Sequence, residues 1–141
     1  MDILSLYNQY NNFGRLLDMK YEVSSPGKVI YHLKVTKDLL ATPSAAHGGA
    51  IAGFMDAIVG VAALSAVAPL NKVVSTIEFK LNFTQAALLN DELKGIGEVI
   101  TQGNRILTVK GDIYNQKNEL IATSLATLNA YPIEKSAMLK K

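Results

Sequence analysis

Apolar residues open the chain at helical spacing. Ile3, Leu6, Tyr7, Tyr10, Phe13 and Leu17 predict a helix over Ile3 to Leu17, with Gly14 weakening its end. The period then changes. Tyr21 to Val23 predicts a short strand, Ser25-Pro26-Gly27 a turn, and Lys28 to Val35 an alternating strand that closes a hairpin. Thr36 to Ala46, punctuated by Pro43, reads as loop. From Gly48 to Ala68 the polar positions nearly vanish. Asp56 is the one charge in that run, and the helix it predicts ends near Pro69. Beyond it, alternation returns. Val73, Ser75, Ile77, Phe79, Leu81 and Phe83 share one face of a long strand, and Thr76, Glu78, Lys80, Asn82 and Thr84 share the other. Glu92 to Thr101, Ile106 to Tyr114 and Leu120 to Tyr131 follow as strands, with turns at Gly103-Asn104 and Asn115 to Asn118. Gly95 and Gly97 lie inside a strand with no helix after them. They mark a bulge or a close backbone contact, not a phosphate loop.

The order is helix, hairpin, long apolar helix, then a four-strand antiparallel meander. It predicts an α+β fold, one domain over residues 1–141, in which an antiparallel sheet wraps a long central helix. A helix without a polar face is one surrounded by protein. The apolar run also reaches the ~20 residues of a membrane span. Asp56 near its centre, the abundance of Gly and Ala, and the alternating strands around it favour a core helix and no membrane. Composition agrees: 49% of residues are hydrophobic and 18% charged, which fits a compact domain. A net charge of +2 gives no reason to expect nucleic acid, and the basic tail Lys135 to Lys141 reads as a solvated end. There is no cysteine, which excludes disulfides, thiol catalysis and zinc–thiolate sites. With two histidines, His32 and His47, no metal site is expected, and no cofactor. His32 alternates outward and reads as surface. Met1-Asp2-Ile3-Leu4 lacks the basic start of a signal peptide, so the expected location is cytoplasmic.

Asp56 concentrates the functional question. A lone carboxylate in an apolar setting must be paired or used, because burying it unpaired is costly. His47-Gly48-Gly49 stands at the predicted helix start. Free backbone amides and the positive dipole end make that position a binder of carbonyls or oxyanions. The plainer alternatives are a tight loop-to-helix turn at Gly48-Gly49, an ordinary loop histidine at His47, and a structural acid at Asp56. Asp56 follows Gly49 by seven residues, so the two share a helix face but are separated by about 10 Å of rise. One carbonyl cannot reach both on the same helix. A site using both needs a second helix running antiparallel beside the first, as in a two-fold dimer with two equivalent sites.

The string His47-Gly48-Gly49-Ala50-Ile51-Ala52, with Asp56 nine residues after the histidine, resembles the hotdog-fold acyl-CoA thioesterases, in particular the PaaI-like branch of the 4-hydroxybenzoyl-CoA thioesterase superfamily. Ser75-Thr76-Ile77-Glu78-Phe79-Lys80-Leu81-Asn82-Phe83 and Ile121-Ala122-Thr123-Ser124-Leu125-Ala126-Thr127 are similar to strands of that branch. The resemblance covers roughly Leu39 to Tyr131. It implies the hotdog fold and hydrolysis of an acyl-CoA thioester to a carboxylic acid and CoA. Asp56 would be the general base that activates water, or a nucleophile on the thioester carbonyl. The Gly49 amide would hold the oxyanion. His47 would position the thioester or support the loop, and Thr76 would help place the water. The resemblance further implies a homodimer, often a dimer of dimers (a homotetramer), with acyl-CoA entering along the dimer interface. Gly48 is expected against the substrate, and Phe54, Met55 and Ile58 are expected to shape an apolar acyl pocket.

Two positions depart from the family pattern. Many relatives carry an asparagine six residues before the histidine, where this chain has Ala41, with Thr42 and Ser44 as the nearby polar groups. A proline that often follows the strand motif is Ala86 here. Ala41 keeps a second reading open, a non-catalytic acyl-CoA-binding or regulatory module. A hotdog hydratase or dehydratase is a third reading, disfavoured because those enzymes use a catalytic histidine in another pattern. The absence of a Gly-x-Ser-x-Gly elbow fits chemistry that needs only a base, an oxyanion donor and a water.

Overall fold

In the computed structural model, which describes residues 1–139, two short helices precede the sheet: α1 (Ile3–Tyr10) and α2 (Asn12–Leu16). Lys140 and Lys141, the end of the basic tail, lie outside the described residues. The predicted N-terminal helix is thus broken at Asn11. Its side-chain oxygen accepts from the Gly14 amide at 3.0 Å and starts α2 afresh. The hairpin β1 (Lys20–Ser25) and β2 (Lys28–Lys34) follows, then α3 (Gly48–Val67), β3 (Lys72–Phe83), β4 (Glu92–Gln102), β5 (Ile106–Tyr114) and β6 (Leu120–Pro132).

The six strands form one antiparallel sheet in the order β1-β2-β4-β5-β6-β3. The expected four-strand meander is therefore only partly present. β4, β5 and β6 run as a meander, but β3 pairs with β6 at the far edge and β4 pairs with β2. The connection between β3 and β4 explains the crossover. It runs back along the 36–46 loop, tied by Ala46 N to Ala87 O (2.8 Å), Leu89 N to Ser44 O (2.8 Å) and Val35 N to Asp91 O (2.9 Å). These bonds deliver β4 beside β2 and leave β3 as an edge strand.

Helix α3 lies across one face of the sheet and touches every strand. Ile51, Phe54, Met55, Ile58, Val59 and Ala62 pack onto Leu107, Val109, Ile113, Ala126 and Leu128, all buried. Each large aliphatic or aromatic side chain buried this way stabilises the fold by about 1.5–3 kcal/mol. Gly97 and Gly111 let the helix sit close. A Cβ on Gly97 would lie 2.8 Å from the Ile58 carbonyl oxygen, and one on Gly111 would lie 2.5 Å from Met55 Sδ. The glycines of β4 thus mark a close contact, one of the two alternatives left open by the sequence.

Although α3 with its 3-10 extension to Leu70 is long and apolar enough to cross a membrane, it is this core helix. It is not wrapped all round. Gly49 and Asp56 are exposed and Gly53, Ala57 and Gly60 half-buried, so one side of the helix faces away from the sheet.

Candidate active site

Asp56 stands on the open side of α3, exposed in the single chain, so the expectation of a buried carboxylate is corrected. The sheet covers the side that carries Phe54 and Ile58 and leaves the Asp56 side free. The acid is nonetheless held. Thr76 Oγ1 donates to Asp56 Oδ1 at 2.7 Å, and the other carboxylate oxygen has no hydrogen bond to a described residue. No lysine, arginine or histidine pairs with Asp56 among the described residues.

Thr76 reaches the helix because β3 carries a bulge. The register with β6 pairs Thr76 with Leu128 but Glu78 with Thr127, leaving Ile77 extra. Leu128 and Ala126 face the helix, and so therefore do their partners Thr76 and Phe79. Strict alternation had put Thr76 and Phe79 on opposite faces. The bulge changes the phase, aims the hydroxyl at Asp56, and turns Ile77 outward, 56% exposed.

The pair lies in a groove of about 380 Å³ between α3, the start of β3 and the N-terminal helices. Gly53, Asp56, Ala57, Gly60, Val61 and Leu64 line its α3 side. Tyr7, Asn11 and Phe13 close one end, and Phe13 rests on Gly53, where an added Cβ would come within 2.8 Å of its ring. Burial, chiefly, pushes the Tyr7 phenol up from its ordinary value, helped by the neighbouring Tyr21 phenol and, less, by Asp56. Behind Tyr7, burial drives Tyr31 further up, with Tyr7 and Tyr21 adding to it. The Tyr31 hydroxyl makes no hydrogen bond of acceptable geometry among the described residues.

The start of α3 is a separate place. His47 is the N-cap: its Nδ1 accepts from the Gly49 amide at 2.7 Å, an arrangement open only to an imidazole without a proton on that nitrogen. The Gly49 N–H that would meet a carbonyl is thus covered by His47, and the ring must swing aside for a ligand to take its place. Gly48 lies in another hollow, against the exposed ring of Phe83. Ala41 and Thr42 belong to the exposed loop before it, and Thr42 Oγ1 accepts from Ala45 N at 2.9 Å to shape that loop. The structure therefore brings Asp56 and Thr76 together and keeps His47, Gly48 and Gly49 apart from them within one chain.

The three residues expected to shape an acyl pocket lie away from this groove. Phe54, Met55 and Ile58 are fully buried against the sheet and none lines the groove. Phe54 and Ile58 each lie two residues from Asp56, which places them about 160° round the helix from it. The groove residues missed by sequence reasoning are Ala57, Gly60, Val61 and Leu64, with Tyr7 and Phe13. The small residues at Gly49, Gly53, Asp56 plus one and Gly60 were the available signal for the open side. No cluster of three or more His, Asp or Glu side chains suited to a metal exists among the described residues.

Residues 44–122, more than half of the chain, match the family model described as the thioesterase superfamily. The chain belongs to the thioesterase superfamily. Solved structures agree on the fold. The E. coli PaaI protein from the phenylacetic acid degradation operon superposes with a TM-score of 0.84 at 17% identity, over 92% of this chain and 91% of that one. A hypothetical thioesterase from Streptococcus pneumoniae, solved with coenzyme A, gives 0.69 at 26% identity, over 80% and 87%. A Streptococcus mutans protein bound to acetyl CoA gives 0.74 at 23% identity, over 81% and 89%. No curated protein sequence matches the chain significantly. The expected hotdog fold and membership of a thioesterase family are thereby met.

Proposed function

We propose that this thioesterase hydrolyses acyl-CoA at two equivalent sites between two copies of the chain, each site built from Asp56 of one copy and Gly49 of the partner subunit. The observation that carries this reading is the Asp56–Thr76 pair in an apolar groove, with the helix-start amide about 10 Å away along the same helix. One chain holds the base and an oxyanion donor but cannot apply both to one carbonyl. The open side of α3 and the unpaired edge of β3, with Ile77 and Phe83 each 56% exposed, are where a second copy would lie. A dimer of dimers uses further surface of the same assembly.

In this reading a water donates a proton to the free oxygen of Asp56 and its hydroxide attacks the thioester carbonyl carbon. Thr76 holds the other carboxylate oxygen and so aims the base. The carbonyl oxygen takes the negative charge and is held by the N–H of the partner subunit's Gly49, at the positive end of a 20-residue helix. Collapse breaks the carbon–sulfur bond. The CoA thiolate leaves with the proton from Asp56, and the acid remains. The coenzyme A held by the Streptococcus pneumoniae relative supports a CoA ester as substrate.

The covering of the Gly49 amide by His47 favours one second reading, a module that binds acyl-CoA without hydrolysing it. A mixing experiment separates the two. Asp56→Asn removes the base, and Gly49→Pro removes the oxyanion N–H at a first-turn position where proline is tolerated. Each variant alone is inactive. Refolded together they form mixed dimers with one intact site, and thiol release returns. Folded mixed dimers with no activity overturn the shared site, and a wild type that binds acyl-CoA without releasing thiol overturns hydrolysis.

A further inference from the structure

The groove that holds Asp56 continues past it toward the end of α3. That half is lined by Ala57, Gly60, Val61 and Leu64 from the helix, Val73 and Val74 from β3, the Tyr131 ring from β6 and Met138 from the C-terminal turn. From Asp56 to Leu64 it runs about 12 Å along the helix axis. Gly60 stands out on this floor. Glycine weakens a helix interior relative to alanine, so its presence needs a reason. Elsewhere in the core the reason is contact: a Cβ on Gly97 or Gly111 would press into α3. At Gly60 an added Cβ would meet nothing within 4 Å. The packing of this chain does not call for glycine there. The position follows Asp56 by one helical turn, about 6 Å along the axis, on the same open side.

We propose that Gly60 keeps the groove open for the acyl group and sets its size, and that the group is a straight aliphatic chain running from the carbonyl at Asp56 past Gly60 toward Leu64 and Met138. The inference rests on the thioesterase reading of the Asp56 site. The occupant follows from continuity with that site and from the lining: a run of apolar side chains longer than an aryl ring would fill, fit for a flexible hydrocarbon chain. Each methylene that enters such a lining leaves water and adds to transition-state binding.

The test is thiol release from acetyl-, butanoyl-, hexanoyl-, octanoyl-, decanoyl- and phenylacetyl-CoA by the wild type, Gly60→Ala and Gly60→Leu. In the wild type, kcat/KM rises with chain length, by up to about fourfold per methylene, until the groove is full. In Gly60→Leu the ratio of octanoyl to acetyl turnover falls about tenfold or more, the loss expected when two methylenes no longer fit. Gly60→Ala falls between them while its Tm rises, because alanine favours the helix and its methyl meets no atom of its own chain. That rise separates lost space from lost fold. A wild-type preference for phenylacetyl-CoA overturns the straight-chain occupant. An unchanged length profile in Gly60→Leu overturns the role of Gly60. An equal loss on all esters with dissociation of the dimer also overturns it, and assigns the glycine to contact with a second copy. A wild type that hydrolyses none of the esters overturns the thioesterase reading and this inference together.

Discussion

Replacing Thr76 by valine isolates the one side-chain hydrogen bond that Asp56 makes among the described residues. The substitution keeps the β-branched shape suited to a strand and removes only the hydroxyl that donates to Asp56 Oδ1 at 2.7 Å. A hydrogen bond to a charged group contributes about 1.5–3 kcal/mol. Thr76 is half-buried and Asp56 is exposed, so water replaces part of the loss and the lower end of that range applies. If the bond holds the base in line for the attacking water, about 1.5 kcal/mol is lost in the transition state and kcat falls about tenfold. KM stays within about twofold, because the hydroxyl does not hold the acyl-CoA. The assay is steady-state thiol release across a range of acyl-CoA concentrations, with Tm measured on the same samples. Thr76→Ser restores kcat to within about threefold of wild type, since it returns the donor. A merely structural role would lower Tm in the valine variant and move KM with kcat. Wild-type kcat in Thr76→Val, or equal kcat in the serine and valine variants, refutes the positioning role.

Other outcomes follow from the same geometry. Gly97→Ala places a Cβ 2.8 Å from the Ile58 carbonyl oxygen and costs about 1–3 kcal/mol, read as a lower urea midpoint. His47→Ala removes the cap on the Gly49 amide and costs about 1 kcal/mol, whereas His47→Asn, which can still cap, costs a few tenths; thermal melts of the two compare them. Tyr31 gives a pH dependence. Burial holds its phenol protonated above the usual tyrosine value of 10.0, so the folded state binds that proton more tightly than the unfolded one. Its stability contribution is complete below about pH 10 and is lost as pH rises beyond it. Tyr31→Phe therefore flattens the alkaline fall in urea midpoint, and costs little near neutral pH because the hydroxyl has no partner among the described residues.

The sheet and its helix were legible because their periods are long and clean. Alternation over Leu120 to Tyr131 marks a strand, and the apolar run from Gly48, broken only by Asp56 and Ser65, marks a helix whose place in the core follows from the strands around it. The order of strands was not legible, because it depends on backbone bonds between the 36–46 loop and Ala87 to Asp91 that no side-chain pattern announces. Asp56 and the helix start at His47-Gly48-Gly49 stand out in the sequence as candidates, the first by its charge and the second by its glycines. The partnership of Asp56 with Thr76 is not visible in the alternation, because one extra residue at Ile77 inverts its phase, and Thr76 enters the sequence reading only through the family resemblance. The open side of the helix was not legible for a related reason. The large residues Phe54, Met55 and Ile58 mark the side of α3 that packs on the sheet. The open side is written in small residues, Gly53, Ala57 and Gly60, whose meaning depends on what packs above them.

The most direct test of the account is the hydrolysis of acyl-CoA by Asp56→Asn. The substitution keeps a hydrogen-bond partner for Thr76 and removes the base. The account predicts that thiol release falls by about a hundredfold or more while acyl-CoA binding, measured by calorimetry, persists. Hydrolysis at the wild-type rate by a folded Asp56→Asn protein would contradict it.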